Sequence, residues 1–219
     1  MHGLFITGTD TDVGKTTITA LIAQHLCNQG KAVSARKPIA SGCELSCNDA
    51  KQLAQATKED EWLVCPYRFK AAVSPERAMR LENKRLSLDE LISASSNSPH
   101  FTLVEGAGGL LSPLAHNVNN ADLAIALGLP ILLVVANKVG CINHTLLTLE
   151  AINSRKLTCI GIIANSINSP TDTDNIADLK NLTQLPIWAV SHQQTQLPIA
   201  LLTFVEQCFC RGNTLYRYA

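Results

Sequence analysis

The chain has 219 residues and 23.6 kDa, enough for one large domain with a well-buried core. Its 18 Lys and Arg residues balance 18 Asp and Glu, so no basic excess favours a nucleic-acid or anionic-membrane partner. The longest apolar stretches, such as 129–136, are far too short to span a bilayer. The N-terminus enters a strand almost at once, without a basic region, a long apolar region or a cleavage site, which predicts a cytoplasmic location. Eight cysteines, at positions 27, 43, 47, 65, 141, 159, 208 and 210, form neither a Cys-x-x-Cys pair nor a Cys/His ligand quartet. They read as reduced, mostly structural thiols.

In chain order, apolar runs predict strands over 4–7, 32–37, 102–105, 130–136, 159–164 and 186–190. Between them the patterning predicts helices over 15–29, 49–56, 86–95, 121–127, 143–154 and 172–182. This alternation implies an α/β fold: a mostly parallel central sheet with helices on both faces, and ligands at the carboxyl ends of the strands. Gly8, Lys37, Glu105, Asn137 and Asn165 all fall at or just after a predicted strand end. Residues 57–85 are charged and irregular and read as an excursion from the sheet. Residues 1–210 are expected to form a single domain, with 211–219 as a loose tail.

Four segments carry chemistry. The first is Gly8-Thr9-Asp10-Thr11-Asp12-Val13-Gly14-Lys15-Thr16, directly after the first strand. A glycine-bounded loop feeding a helix points backbone N–H groups at bound phosphates, and Lys15 adds a full positive charge. Asp12, Val13, Gly14, Lys15, Thr16 and Thr17 are the nucleotide-binding candidates, with the Thr16 hydroxyl placed for a phosphate-associated Mg²⁺. The usual template has its first glycine four residues before Gly-Lys-Thr; here that position is Thr9, and Gly8 precedes it.

The second segment is Lys37-Pro38-Ile39-Ala40-Ser41-Gly42. Pro38 ends the strand at Lys37, whose ammonium either snorkels to solvent or aims into the ligand crevice. The third is Leu103-Val104-Glu105-Gly106-Ala107-Gly108-Gly109, where a strand-end carboxylate beside glycines makes Glu105 the main Mg²⁺ candidate. Asp49 is the second metal candidate, with simple helix capping as its rival reading. The fourth is Gly140-Cys141-Ile142-Asn143-His144, a loop entering a helix, where Asn143 serves either as an N-cap or as a ligand contact. His144 reads as structural.

Together these blocks resemble the dethiobiotin synthetase family, in the family's order and over about two-thirds of the chain. The phosphate loop alone also suits ParA/MinD-like ATPase switches, the alternative reading. The resemblance implies a SIMIBI-like P-loop NTPase fold and an ATP- and Mg²⁺-dependent ligase closing the ureido ring of dethiobiotin from 7,8-diaminononanoate and CO2, by way of a carbamate and its mixed anhydride with phosphate. It implies that Lys15 and Lys37 are catalytic, with Ser41 as a partner to the carbamate, and that Thr16, Asp49 and Glu105 hold the metal. It further implies that Thr11 and Gly108 contact the diamine, that Gly140, Cys141, Ile142 and Asn143 take its distal carboxylate across a homodimer interface, and that Asn165 contacts the nucleotide base.

Overall fold

The computed structural model describes residues 1–166, 173–191 and 196–211. In chain order its elements are β1 Gly3–Gly8, α1 Lys15–Asn28, β2 Val33–Arg36, β3 Ile39–Ala40, α2 Asn48–Thr57, α3 Glu61–Val64, β4 Tyr67–Arg68, α4 Pro75–Leu81, α5 Leu88–Ser96 and β5 Phe101–Gly109. There follow β6 Pro113–Ala115, β7 Val118–Asn119, α6 Asn120–Leu127, β8 Ile131–Ala136, α7 Cys141–Ser154, β9 Cys159–Asn165, α8 Thr173–Leu182, β10 Ile187–Val190 and α9 Ile199–Arg211. The six long strands are parallel, in the order β10-β9-β8-β1-β5-β2.

The expected α/β architecture is present, because the strands are apolar on both faces. Leu4 and Ile6 of β1 join one core with Ile18, Ile22 and Leu26 of α1 and Leu201 and Val205 of α9. Phe5, pointing the other way, joins the opposite core with Leu91 of α5, Ala121 and Leu123 of α6 and Ile152 of α7. The period-2 alternation of side chains thus feeds two apolar layers, as a parallel sheet covered by helices requires. Among the described residues no helix is long and apolar enough to cross a membrane.

The structure differs from the expected elements in three places. The sequence reading assigns no element to 199–211, although Thr203, Glu206 and Gln207 break its apolar residues at helical spacing. In α9, Leu201, Val205 and Cys208 are the buried positions, spaced four and three apart. Arg211 ends this helix; the rest of the expected tail, and Asp172 at the expected start of α8, lie outside the described residues. The 57–85 excursion contains α3, β4 and α4, and it closes the free edge of β2: the Lys37 N–H donates to the Val64 carbonyl at 2.8 Å, and the Ala35 N–H donates to Glu59 Oε2 at 3.0 Å. An unpaired edge would be a template for another strand, so this cover is a structural device. Finally, α7 starts at Cys141 with Gly140 as its N-cap (φ 87°), which removes the N-cap reading of Asn143.

Glu59 also holds Arg36, a fully buried guanidinium, at 2.9 Å from Nη1, while Arg36 Nε donates to Asn97 Oδ1 at 2.5 Å. Removing one partner of a buried pair leaves an uncompensated charge. Glu59→Ala is therefore expected to lower the unfolding free energy by about 3–5 kcal/mol, read from urea unfolding, with a fall below about 1 kcal/mol contradicting the buried pairing.

Candidate functional site

The site forms where the register brings strand ends together. Arg36 lies opposite Val104 in the parallel β2–β5 pair, so Lys37, just past the end of β2, comes beside Glu105, which lies within β5 rather than at the strand end expected from sequence, since β5 runs on to Gly109. Ile6 of β1 is in turn opposite Glu105, which places the loop after β1 on the other flank of that carboxylate. These elements bound a cleft of about 720 Å³ lined by Thr11, Lys15, Thr16, Lys37, Ser41 and Asp49, among others.

In the phosphate loop, Asp12 and Gly14 adopt positive φ, 55° and 90°. Gly14 is the N-cap of α1 and no side chain caps it, so the first N–H groups of the helix are left for a ligand. Lys15 is 6% exposed, and its ammonium donates to the loop's own Asp10 carbonyl at 2.8 Å. Burial lowers its pKa to about 8; Glu105 opposes that shift and Lys37 adds to it.

Lys37 lies between two carboxylates, with Nζ 2.5 Å from Asp49 Oδ2 and 2.6 Å from Glu105 Oε1. Burial works against its charge, but attraction to Glu105 and Asp49 prevails, and its pKa is raised. Lys37 therefore remains an ammonium, and the choice between snorkelling and the crevice falls to the crevice. Asp49 is held below the usual carboxylate range: burial opposes its ionisation, while attraction to the Lys37 ammonium outweighs that. Its side chain makes no capping bond on α2, whose N-cap is Cys47, so the capping rival for Asp49 is not observed.

A hard cation fits the remaining oxygens. Thr16 Oγ1 donates to Glu105 Oε1 at 2.7 Å, and Glu105 Oε2, wholly buried, has no hydrogen-bond partner. An orphaned carboxylate oxygen beside a hydroxyl and a second carboxylate is an all-oxygen set of the kind Mg²⁺ takes, completed by phosphate and water oxygens. Among the described residues no three His, Cys, Asp or Glu side chains converge to hold a metal unaided.

Thr11 and Gly108 lie side by side in the cleft wall. Gly108 has φ +74°, and a Cβ there would stand 2.5 Å from Ser112 Oγ and 3.7 Å from Thr11 Oγ1. Ser41 donates its hydroxyl to the Val73 carbonyl at 2.5 Å, tying the excursion to the site. The cleft also takes Gln52, Val73, Ser74 and Ser112, which the sequence reading does not single out. Only Ser112 leaves a trace in sequence, by following the glycine run whose Gly109 N–H it accepts at 2.9 Å.

Gly140, Cys141, Ile142 and Asn143 do not line this cleft. The Cys141 side chain is buried and Asn143 is exposed. His144 is likewise exposed and does not line the cleft.

Asn165 ends β9 against the back of the phosphate loop. Its Nδ2 donates to the Val13 carbonyl at 3.0 Å, and a Cβ on Gly14 would lie 2.1 Å from that nitrogen.

A parallel sheet with this loop between its first strand and first helix defines a P-loop nucleotide-binding protein. A family model described as an AAA domain matches residues 2–197. The ATP-dependent dethiobiotin synthetase BioD of Anaeromyxobacter dehalogenans is 40% identical over 192 residues, covering 84% of this chain and 86% of that protein. The protein of the same name from Pseudoalteromonas translucida is 36% identical over 211 residues, covering 90% and 93%. The chain belongs to the ATP-dependent dethiobiotin synthetase family. Two solved structures share the fold at low identity. The MinC:MinD complex of Aquifex aeolicus matches at TM-score 0.56 and 14% identity, over 95% of this chain and 86% of that one. FtsY of Thermotoga maritima matches at TM-score 0.53 and 16% identity, over 95% and 68%.

Because Asn165 holds the loop backbone, Asn165→Ala is expected to weaken inorganic tripolyphosphate, a ligand with no base, by about tenfold, the equivalent of one lost hydrogen bond. Calorimetry decides: unchanged tripolyphosphate affinity alongside weakened ATP would confine Asn165 to base contact.

Proposed function

We propose that this chain, as an ATP-dependent dethiobiotin synthetase, closes a cyclic urea from 7,8-diaminononanoate and CO2 at the expense of ATP. The observation that carries the reading is Lys37: a buried ammonium, held charged by Asp49 and Glu105, in one cleft with a phosphate-loop lysine. A carbamate and a γ-phosphate are both anions, so bringing them together is mainly an electrostatic task.

In this reading one amine of the diamine takes up CO2 as a carbamate. Lys37 exchanges its carboxylate partners for the carbamate, and the Ser41 hydroxyl turns from the Val73 carbonyl to donate its proton to the carbamate. Lys15 holds the γ-phosphate and spreads the charge that develops as the carbamate oxygen attacks phosphorus. The second amine then displaces phosphate and closes the ring. Thr16, Asp49 and Glu105 would hold Mg²⁺, which when bound supplies charge neutralisation between the β- and γ-phosphates. Thr11 and the backbone at Gly108 flank the diamine, and Asn165 serves the nucleotide.

The distal carboxylate is assigned to Gly140, Cys141, Ile142 and Asn143 of a second copy. Their place outside the cleft supports that assignment, as does the apolar surface around them: Val139 is 95% exposed and Leu147 56%. A helix N-terminus framed by exposed apolar residues suits burial against another subunit. The fold likeness to MinD suits the switch reading too, but that reading assigns no task to a buried lysine held between Asp49 and Glu105.

The deciding assay is ADP release from Mg-ATP and bicarbonate with and without 7,8-diaminononanoate, with the product weighed by mass spectrometry. Diamine-independent hydrolysis without a product of dethiobiotin mass would favour the switch. Lys37→Ala is expected to retain nucleotide affinity and lose ring closure by on the order of 10³-fold. Near-normal turnover in that variant would remove Lys37 from the reaction. Asp49→Asn is expected to raise the half-saturating Mg²⁺ concentration by about tenfold or more in a nucleotide-binding titration. An unchanged metal requirement would leave Asp49 as a partner of Lys37 alone.

A further inference from the structure

Three of the cysteines that the sequence presents as scattered meet beside the cleft. Cys43 lies two residues beyond Ser41, Cys47 is the N-cap of α2 two residues before Asp49, and Cys65 follows α3. Cys47 and Cys65 are buried together and Cys43 packs against them, the Cys43 thiol donating to the Ser41 carbonyl at 3.8 Å and the Cys65 thiol to the Tyr67 carbonyl at 3.7 Å. Ala40, Cys47, Ala50 and Cys65 form one small apolar cluster, on which Cys43 packs. No metal geometry is present: among the described residues no three His, Cys, Asp or Glu side chains are arranged to hold one.

The three thiols differ in access. Cys65 is fully buried, Cys47 is 4% exposed and Cys43 is partly open. A groove of about 690 Å³ lies over them, and Cys43 and Cys47 line it while Cys65 does not. Its walls carry Arg68, Lys70, Lys84 and Arg85, opposed by Glu44 and Glu82. A small anionic molecule is therefore drawn in, and it meets Cys43 first with Cys47 in contact beneath. The intervening residues, 44–46, have no helix or strand to hold them apart. A disulfide asks for Cα atoms about 4.4–6.8 Å apart, a span that residues four apart reach when the chain between them turns.

We propose that Cys43 and Cys47 are a redox-modification site, oxidised to an intrachain disulfide by a small anionic disulfide of the glutathione type that docks in this groove. The exchange balances in two steps. The Cys43 sulfur attacks one sulfur of the oxidant, its S–S bond breaks, and one reduced thiol leaves, carrying the proton that Cys43 gives up. The Cys47 sulfur then attacks Cys43 at the mixed disulfide and releases the second reduced thiol, which takes the proton of Cys47. Two protein thiols are oxidised and one small disulfide is reduced. Closing this bond draws the cap of α2 toward Cys43, and the two site residues adjoining the closed loop, Ser41 and Asp49, move with its ends. The effect on turnover rests on the proposed roles of those two residues; the thiol chemistry does not.

The test treats the full-length protein with oxidised glutathione, alkylates the remaining thiols and digests with trypsin. The Lys37–Pro38 bond resists trypsin, so Cys43 and Cys47 share the peptide 37–51 while Cys65 falls in 59–68. The expected result is an unalkylated 37–51 peptide lighter than its reduced form by two hydrogen atoms. Turnover should drop by on the order of 100-fold, as for a catalytic group displaced by about an ångström. Dithiothreitol should reverse both changes, and Cys43→Ser should keep basal turnover and become insensitive to the oxidant. Alkylation of both thiols, a glutathione adduct that never closes, or a link from 37–51 to 59–68 overturns the site. A disulfide that leaves turnover unchanged overturns its coupling to the cleft. Absence of diamine-dependent ADP release from the reduced protein would instead remove the proposed function, and the peptide masses would still decide the disulfide.

Discussion

Two ammonium groups and two carboxylates share the carboxyl edge of the sheet, and their confinement there is the constraint that the rest of the site answers. At about 4 Å and an effective dielectric near 20, a unit pair is worth about 4 kcal/mol, enough to decide whether a buried lysine keeps its proton. Lys37 keeps it because Asp49 and Glu105 flank it closely. Lys15 has its carboxylate neighbours farther off, and burial brings it to about 8. The two lysines thus meet an anionic ligand from different starting points, one firmly charged and the other ready to gain by the encounter.

That arrangement is a product of register. The same pairing that sets Arg36 against Val104 delivers Lys37 and Glu105 together, and alternation along β2 sends the preceding arginine to a different partner, Glu59. Two consecutive cations are thereby kept in separate compartments, one structural and one in the cleft. The excursion between Thr57 and Leu86 serves both. Its first part covers the β2 edge and holds Arg36, while its later part supplies Val73, Ser74 and Pro75 to the cleft wall. The Ser41–Val73 hydrogen bond joins the loop after β3 to that wall.

Much of this was legible in the sequence, for local reasons. Strands buried on both faces announce themselves as apolar runs, a glycine-bounded loop before a helix is a compact signal, and Pro38 marks where β2 must end. Lys37 and Glu105 could be picked out because each interrupts an apolar run, although β5 continues past Glu105 to Gly109. The remainder depends on contacts between residues far apart in the chain. Nothing near Asn165 states that its amide will meet Val13, 152 positions earlier. Cys65 lies 18 positions past Cys47, and only the packing of α2 against α3 makes them neighbours. The walls of the excursion belong to short elements, α3, β4 and α4, too brief to show a period.

The covered edge of β2 also has a bearing on the order of events as the chain is made. The inner neighbour of β2 is β5, which begins at Phe101, whereas the residues that close its outer side, Glu59 and Val64, are far nearer in sequence. During synthesis from the N-terminus, the guard on the exposed side emerges well before the strand that β2 finally pairs with. The chain thus carries the cover for one edge of β2 close to it in sequence, so that contact closes a far shorter loop than the pairing with β5 does.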